Sequence, residues 1–229
     1  WEKSDVMEIY PGEIHGLVGE NGAGKSTLFQ VMMGIYLADD GEMTFLGSPY
    51  APRTTHDAER FGVSIIMQQP NTFENMTVAE NIFVGRDIQF QTNFGVLRTR
   101  HQIKAAQQVL EECGFGHIVA SKTLRDLSFE QRKEVEIARA LSVKPKILLV
   151  DETSAAVSRE AVETLYSVVR EQRDRGVSVI YISHFIEEVF ELCSRVTVLR
   201  DGHLINTHRV SEIGPDRLIE DMVGRQLTN

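Results

Sequence analysis

The densest chemistry in this chain sits in Gly19-Glu20-Asn21-Gly22-Ala23-Gly24-Lys25-Ser26-Thr27. The run fits the pattern G-x-x-x-x-G-K-[ST] without deviation. Gly19, Gly22 and Gly24 allow a tight turn whose N–H groups approach phosphate oxygens. Lys25 is placed to reach β- and γ-phosphates, and the Ser26 hydroxyl to ligate Mg²⁺. A strand is expected before the run, over Glu13–Val18. A helix over Leu28–Met33, stopped by Gly34, is expected after it. That context puts the positive end of a helix dipole at the phosphates. A chance fit of the whole pattern in a chain this long is rare, about one chain in a hundred at ordinary glycine usage.

Working on a bound nucleotide takes more than a phosphate loop. Ile147-Leu148-Leu149-Val150 is an apolar run followed by Asp151, which places a carboxylate at the carboxyl end of a buried strand. Open α/β sheets bind ligands there. Asp151 would hold Mg²⁺ through water, and Glu152 would accept a proton from an attacking water. Gln68 closes a second apolar run, and its amide could touch the metal or that water. Leu127-Ser128-Phe129-Glu130-Gln131 precedes a helix, so its backbone donors would face an anion. His184 follows Tyr181-Ile182-Ser183 and would hydrogen-bond a γ-phosphate. Taken singly, Gln68, the 127–131 segment and His184 are ordinary polar features. Their order along the chain gives them weight.

The elements that must hold these residues alternate. Trp1–Tyr10 reads as a strand with Val6, Met7 and Ile9 inward. Further strands are expected over Gly41–Leu46, closed by Gly47-Ser48-Pro49, and over Val63–Met67. Thr77-Val78-Ala79-Glu80 is a capping box opening a helix to about Val84. Residues 86–98 read as irregular and polar, followed by helices over Thr99–Cys113 and Glu130–Ser142. After Ile147–Val150 come a helix over Arg159–Arg173, a strand over Val177–Ile182 and a helix over Phe185–Leu192. A hairpin turning at Asp201-Gly202 and a last helix over Pro215–Val223 complete the pattern. The alternation predicts an α/β fold with a mainly parallel sheet and an antiparallel β edge. Residues 75–142 read as an inserted helical subdomain, between core segments at 1–74 and 143–229.

With 229 residues the chain can bury a sizeable core. A net charge of −9 argues against nucleic acid or an anionic membrane surface as the main partner. No apolar run is long enough to span a bilayer, and no secretory signal is expected, so the simplest compartment is the cytoplasm. Cys113 and Cys193 fall in helical patterns and suggest neither a disulfide framework nor a metal site.

The order of phosphate loop, Gln68, Leu-Ser-x-x-Gln, apolar-Asp151-Glu152 and His184 resembles the ATP-binding cassette (ABC) ATPases over nearly the whole chain. Within that family it is most similar to the ATPases of bacterial sugar importers of the ribose, galactose or xylose type, which carry two cassettes in one polypeptide. The residues behind this are Gly19–Thr27, Ile65–Gln68, Thr77–Arg86, Glu136–Ser142, Tyr181–His184 and Met222–Arg225. The resemblance implies the P-loop NTPase fold with a helical signature subdomain, and ATP and Mg²⁺ as cofactors. It implies ATP hydrolysis that energises import of a small solute. Its partners would be a second cassette, in the same longer chain or as a homodimer, and transmembrane permease subunits. A periplasmic or extracellular solute-binding protein would take part indirectly. The chain would sit peripherally on the cytoplasmic face of the inner membrane, with a permease coupling element near Gln68–Arg86. The family's adenine-stacking aromatic falls ahead of Trp1.

Two further departures stand out. Phe129 and Glu130 replace the usual Gly-Gly of the signature, and Thr153 and Ser158 replace a Pro and an Asp. Glu130 sets a negative charge where a γ-phosphate should lie, which implies two unequal ATP sites in an assembled transporter. It also keeps a rival reading open, a nucleotide-gated interaction module with little turnover. A soluble cassette acting on ribosomes or DNA is the third reading, which the acidic balance opposes.

Overall fold

The computed structural model describes residues 6–67, 72–92, 94–151 and 159–224. β1 (Ile14–Val18) is buried at every position, as a strand flanked on both sides must be. Helix α1 (Lys25–Met32) starts three residues before the expected Leu28. The last loop glycine, Gly24, is its N-cap at φ 98, so Lys25 and Ser26 already lie in the first turn. The helix thus begins before its apolar periodicity, which only becomes legible near Phe29.

Two expectations fail on the N-terminal side. Val6–Tyr10 forms no strand: Val6 is exposed, and only Met7 and Ile9 rest against the core. The strand expected over 41–46 shrinks to β2 (Thr44–Phe45), paired antiparallel with β3 (Ser48–Pro49). Leu46 and Gly47, both at positive φ, make the turn between them. Ser48-Pro49, expected to close a strand, is therefore its partner.

Helix α2 (Thr55–Phe61) is capped by the Thr54 side chain and leads into β4 (Val63–Ile66). Helix α3 (Val78–Ile82) carries both hydrogen bonds of the Thr77/Glu80 capping box. Then follow α4 (Thr99–Glu112), α5 (Phe129–Leu141), β5 (Ile147–Asp151), α6 (Arg159–Asp174) and β6 (Ser178–Ile182). The chain ends with α7 (Ile186–Leu192), β7 (Arg195–Arg200), β8 (His203–Arg209) and α8 (Pro215–Val223). Six strands form one sheet in the order β4-β5-β6-β1-β7-β8. Every pairing in it is parallel except the β7–β8 hairpin at the edge.

The chain divides into two compact units, 1–68 with 146–229, and 69–145. The sequence pattern puts these divisions a few residues away, at 74/75 and 142/143. In the first unit, Leu17, Phe29, Met33, Leu149, Ile180 and Ile182 pack in one cluster behind the phosphate loop. In the second, α3, α4 and α5 pack on one another, burying Val78, Ile82, Ala106, Leu110, Val135 and Ala138. Residues 86–98 hold a short 3₁₀ turn at Asp87–Phe90 and a bridge from Gln91 to Leu97. They are not simply polar: Ile88 is 80% and Phe94 93% exposed. Among the described residues, no helix is long and apolar enough to cross a membrane.

Candidate nucleotide site

Sheet register brings the chemistry together. Leu17 of β1 is paired with Ile182 of β6, and Ile182 with Asp151 of β5. The three parallel strands therefore finish abreast. The phosphate loop leaves one, the His184 turn the next, and Asp151 ends the third. This is the carboxyl edge where open α/β sheets take ligands.

The phosphate loop is fixed by close packing as well as by its own turns. Ala23 N–H donates to Glu20 O at 3.1 Å, and Leu28 N–H to Gly24 O at 2.9 Å. A Cβ at Gly19 would stand 2.1 Å from the carbonyl oxygen of Leu199 on β7. No side chain fits there, so the loop's first glycine is set by a strand distant in sequence. Lys25 is 6% exposed. Its ammonium donates to Gly19 O at 2.8 Å and Glu20 O at 3.1 Å. The amine lies inside the loop, with two of its three N–H groups on the loop's own carbonyls, so the third can reach a phosphate without breaking them. Burial lowers the Lys25 pKa, and the Asp151 carboxylate opposes that.

Ser26 hydrogen-bonds the Asp151 carboxylate. The other carboxylate atom, Oδ1, is buried without a hydrogen-bond partner among the described residues. Burial holds Asp151 above its ordinary pKa, while Ser26, Lys25 and His184 pull it back down. An orphaned carboxylate oxygen beside a serine hydroxyl suits a hard, oxygen-seeking cation. The residues present thus fit Mg²⁺. His184 is exposed, and its pKa is lowered by burial of its ring and by the Lys25 cation, against Asp151. That direction favours the neutral imidazole, which can donate to a phosphate without stacking a second cation against Lys25.

Gln68 and Glu152 lie outside the described residues, as do Thr153 and Ser158. The segment Leu127–Gln131 is described, with an arrangement different from the expected one. Ser128 caps α5: Gln131 N–H donates to Ser128 Oγ and Ser128 N–H to Gln131 Oε1, each at 3.2 Å. Glu130 folds back, accepting from its own backbone N–H and from Ser128 Oγ at 2.8 Å. Those contacts hold its carboxyl below the usual range. Of the backbone donors expected to face an anion, those of Ser128, Glu130 and Gln131 are engaged by local side chains, and that of Leu127 by the Leu124 carbonyl. Sequence reasoning also passed over Ser183 and Glu188, which meet beneath the His184 turn. An acid in the first turn of a helix ordinarily reads as a solvated partner of the dipole.

A phosphate loop after β1, with an acidic strand end abreast of it across β6, is the arrangement of the P-loop nucleoside triphosphatases. The family model described as ABC transporter matches residues 3–155, and the chain belongs to that family. It is 39% identical over 225 residues to the Ribose import ATP-binding protein RbsA of Bacillus cereus, covering 98% of this chain and 45% of that protein. It is 43% identical over 222 residues to RbsA 1 of Rubrobacter xylanophilus, covering 96% and 43%. The chain thus spans less than half the length of these curated relatives. Among solved structures, the ADP conformation of an ATP-binding cassette of an ABC transporter is similar at TM-score 0.79 and 24% identity, over 96% of this chain and 91% of that one. The cbiO1 protein from Clostridium perfringens, part of the ABC transporter complex cbiONQ, is similar at TM-score 0.74 and 27% identity, over 96% and 86%.

Proposed function

We propose that this chain is an ATP-binding and ATP-hydrolysing cassette that energises import of a sugar through a membrane permease. The observation that carries the reading is the unpartnered, buried Oδ1 of Asp151, next to Ser26 at the end of an intact phosphate loop. Likeness to ribose import ATP-binding proteins supports the sugar as cargo. In this reading the loop N–H groups and Lys25 bind the β- and γ-phosphates. Ser26, Asp151 and Gln68 hold Mg²⁺, partly through water, and the ion supplies positive charge against the phosphate oxygens. Glu152 orients the attacking water and takes its proton, while neutral His184 donates to the γ-phosphate. A second cassette, in a longer chain or as a second copy, completes the site with its own signature segment. Permease subunits anchor the pair at the cytoplasmic face of the membrane.

Glu130, bonded to Ser128 at the start of α5, favours a second reading for one of the two sites. A signature that presents a carboxylate in place of free N–H groups is poorly suited to a γ-phosphate. The two sites of the assembly would then be unequal, this chain giving the good phosphate loop to one and the poor signature to the other. Lys25→Ala tests the main reading. It should weaken ATP binding at least about tenfold by equilibrium titration, since a charge-assisted contact to phosphate contributes more than a neutral one. It should also nearly abolish hydrolysis by the assembled transporter. Unchanged affinity would sink the reading. ATP binding with no hydrolysis in the wild-type assembly would favour an interaction module.

A further inference from the structure

Glu188 lies in α7, 8% exposed, and no step proposed above uses it. Its Oε2 accepts from Ser183 Oγ at 2.5 Å and from the Tyr181 hydroxyl at 3.0 Å. The Tyr166 hydroxyl of α6 hydrogen-bonds the same carboxylate. Three hydroxyls, from β6, the turn after it and α6, thus converge on one buried acid, and the two tyrosines also bond each other. A buried carboxylate is costly unless its oxygens are bonded in this way. A carboxylate only accepts, so it suits a cluster made entirely of hydroxyls.

Ser183 has a second task. Its Oγ accepts from Phe185 N–H at 2.9 Å, which closes a tight turn around the residue between them. That residue is His184. The hydroxyl is therefore committed on both sides: it donates to Glu188 and accepts from the far limb of the turn. His184 stands exposed on a turn bolted from beneath to a carboxylate. That carboxylate is tied in turn to β6 and to α6, the helix that follows the Asp151 strand.

We infer that Glu188 is the positioning residue for His184, holding the imidazole at the γ-phosphate through the Ser183 hydroxyl. The inference rests on the proposed role of His184 and deepens it. In this reading Glu188 acts only through the Ser183 hydroxyl, not on nucleotide or the attacking water. Its removal should leave ATP binding alone and slow the chemical step, because misplacing a positioned group by about 1 Å costs up to about a hundredfold in rate.

The test is a double-mutant cycle in the assembled transporter, reading ATP hydrolysis and nucleotide affinity. Glu188→Ala should lower kcat at least about tenfold, with ATP affinity kept within about twofold. Glu188→Gln, which keeps a carbonyl for Ser183 and Tyr181, should recover to within about threefold of wild type. In a His184→Ala background, Glu188→Ala should cost nothing further, which a merely structural role would not produce. If the alanine variant does not assemble, Ser183→Ala gives the same comparison while leaving both tyrosines on the carboxylate. Multiplicative losses in the double variant, or wild-type turnover by Glu188→Ala beside an impaired His184→Ala, would overturn the inference. Wild-type turnover by His184→Ala itself would instead remove the role assigned to His184, and this inference with it.

Discussion

Replacing Asp151 by asparagine should stabilise the nucleotide-free protein and cripple the loaded one. Oδ1 is buried with no hydrogen-bond partner, and burial raises the carboxyl's pKa in spite of Ser26, Lys25 and His184. A buried polar atom left unsatisfied costs about 1–3 kcal/mol. Asparagine removes the charge but still presents one unpaired atom, and Asp151 is only partly buried, so solvent screens some of the penalty. The recoverable part is therefore about 1 kcal/mol, the low end of that range. In a chain of this size that raises Tm by about 2–4 °C. Saturating ATP and Mg²⁺ should reverse the order. Wild type at a hundred times its Kd gains about 2.7 kcal/mol, and the variant far less. The sign with pH follows from the raised pKa. The folded state holds the Asp151 proton more tightly than the unfolded one does. The penalty is thus full at neutral pH and fades as pH falls through the raised folded value towards the ordinary one of about 3.9. The gap in Tm between the two proteins should close there. Thermal unfolding of both proteins, with and without nucleotide, across that range, is the assay. A nucleotide-free variant that melts below wild type at pH 7 would refute the reasoning.

Gly19→Ala should displace the phosphate loop, because the added carbon meets a backbone oxygen at 2.1 Å. Overpacking of this kind costs roughly 1–3 kcal/mol, and ATP affinity measured by calorimetry should fall at least about tenfold, a single 1.4 kcal/mol step. Normal affinity together with normal Tm would contradict that. Glu152→Gln should preserve ATP affinity and slow hydrolysis by the assembled transporter at least about a hundredfold, provided the opposing site is disabled. Near-normal turnover would remove the role of Glu152. Glu130→Gly should change transport-coupled hydrolysis little, because the signature it repairs serves the poorer site. A many-fold rise would mean that the Glu130 carboxylate brakes a competent one.

Legibility followed the physics of each residue. The strand–loop–helix setting of Gly19–Thr27 could be read because residue types at fixed spacing mark it, and the place of Asp151 at a strand end because an apolar run had to end in a charge. The parallel core could be read because βα alternation leaves few other folds. Contacts between distant segments could not be read. Nothing in Gly19 announces that Leu199 O lies against it, and nothing in Glu188 distinguishes a buried hub from a solvated first-turn acid. Local chemistry misled as well. Val6 looked like an inward strand residue yet is 66% exposed. The donors at Leu127–Gln131 looked free because the sequence does not show that Ser128 and Glu130 turn back on them.

The dependence of the phosphate loop on β7 has a consequence in time. β1 ends at Val18, whereas the two strands that flank it begin at Ser178 and Arg195. A ribosome delivers the loop early and its supports late. At 5–20 residues per second, the interval is roughly 8–30 s. Throughout it the nascent loop has its full motif but lacks the strand on either side and the carbonyl that seats Gly19. Nucleotide therefore meets no finished site on the nascent chain during that interval. A cleavage ahead of β7 would leave every residue proposed to bind nucleotide present and the site without its form.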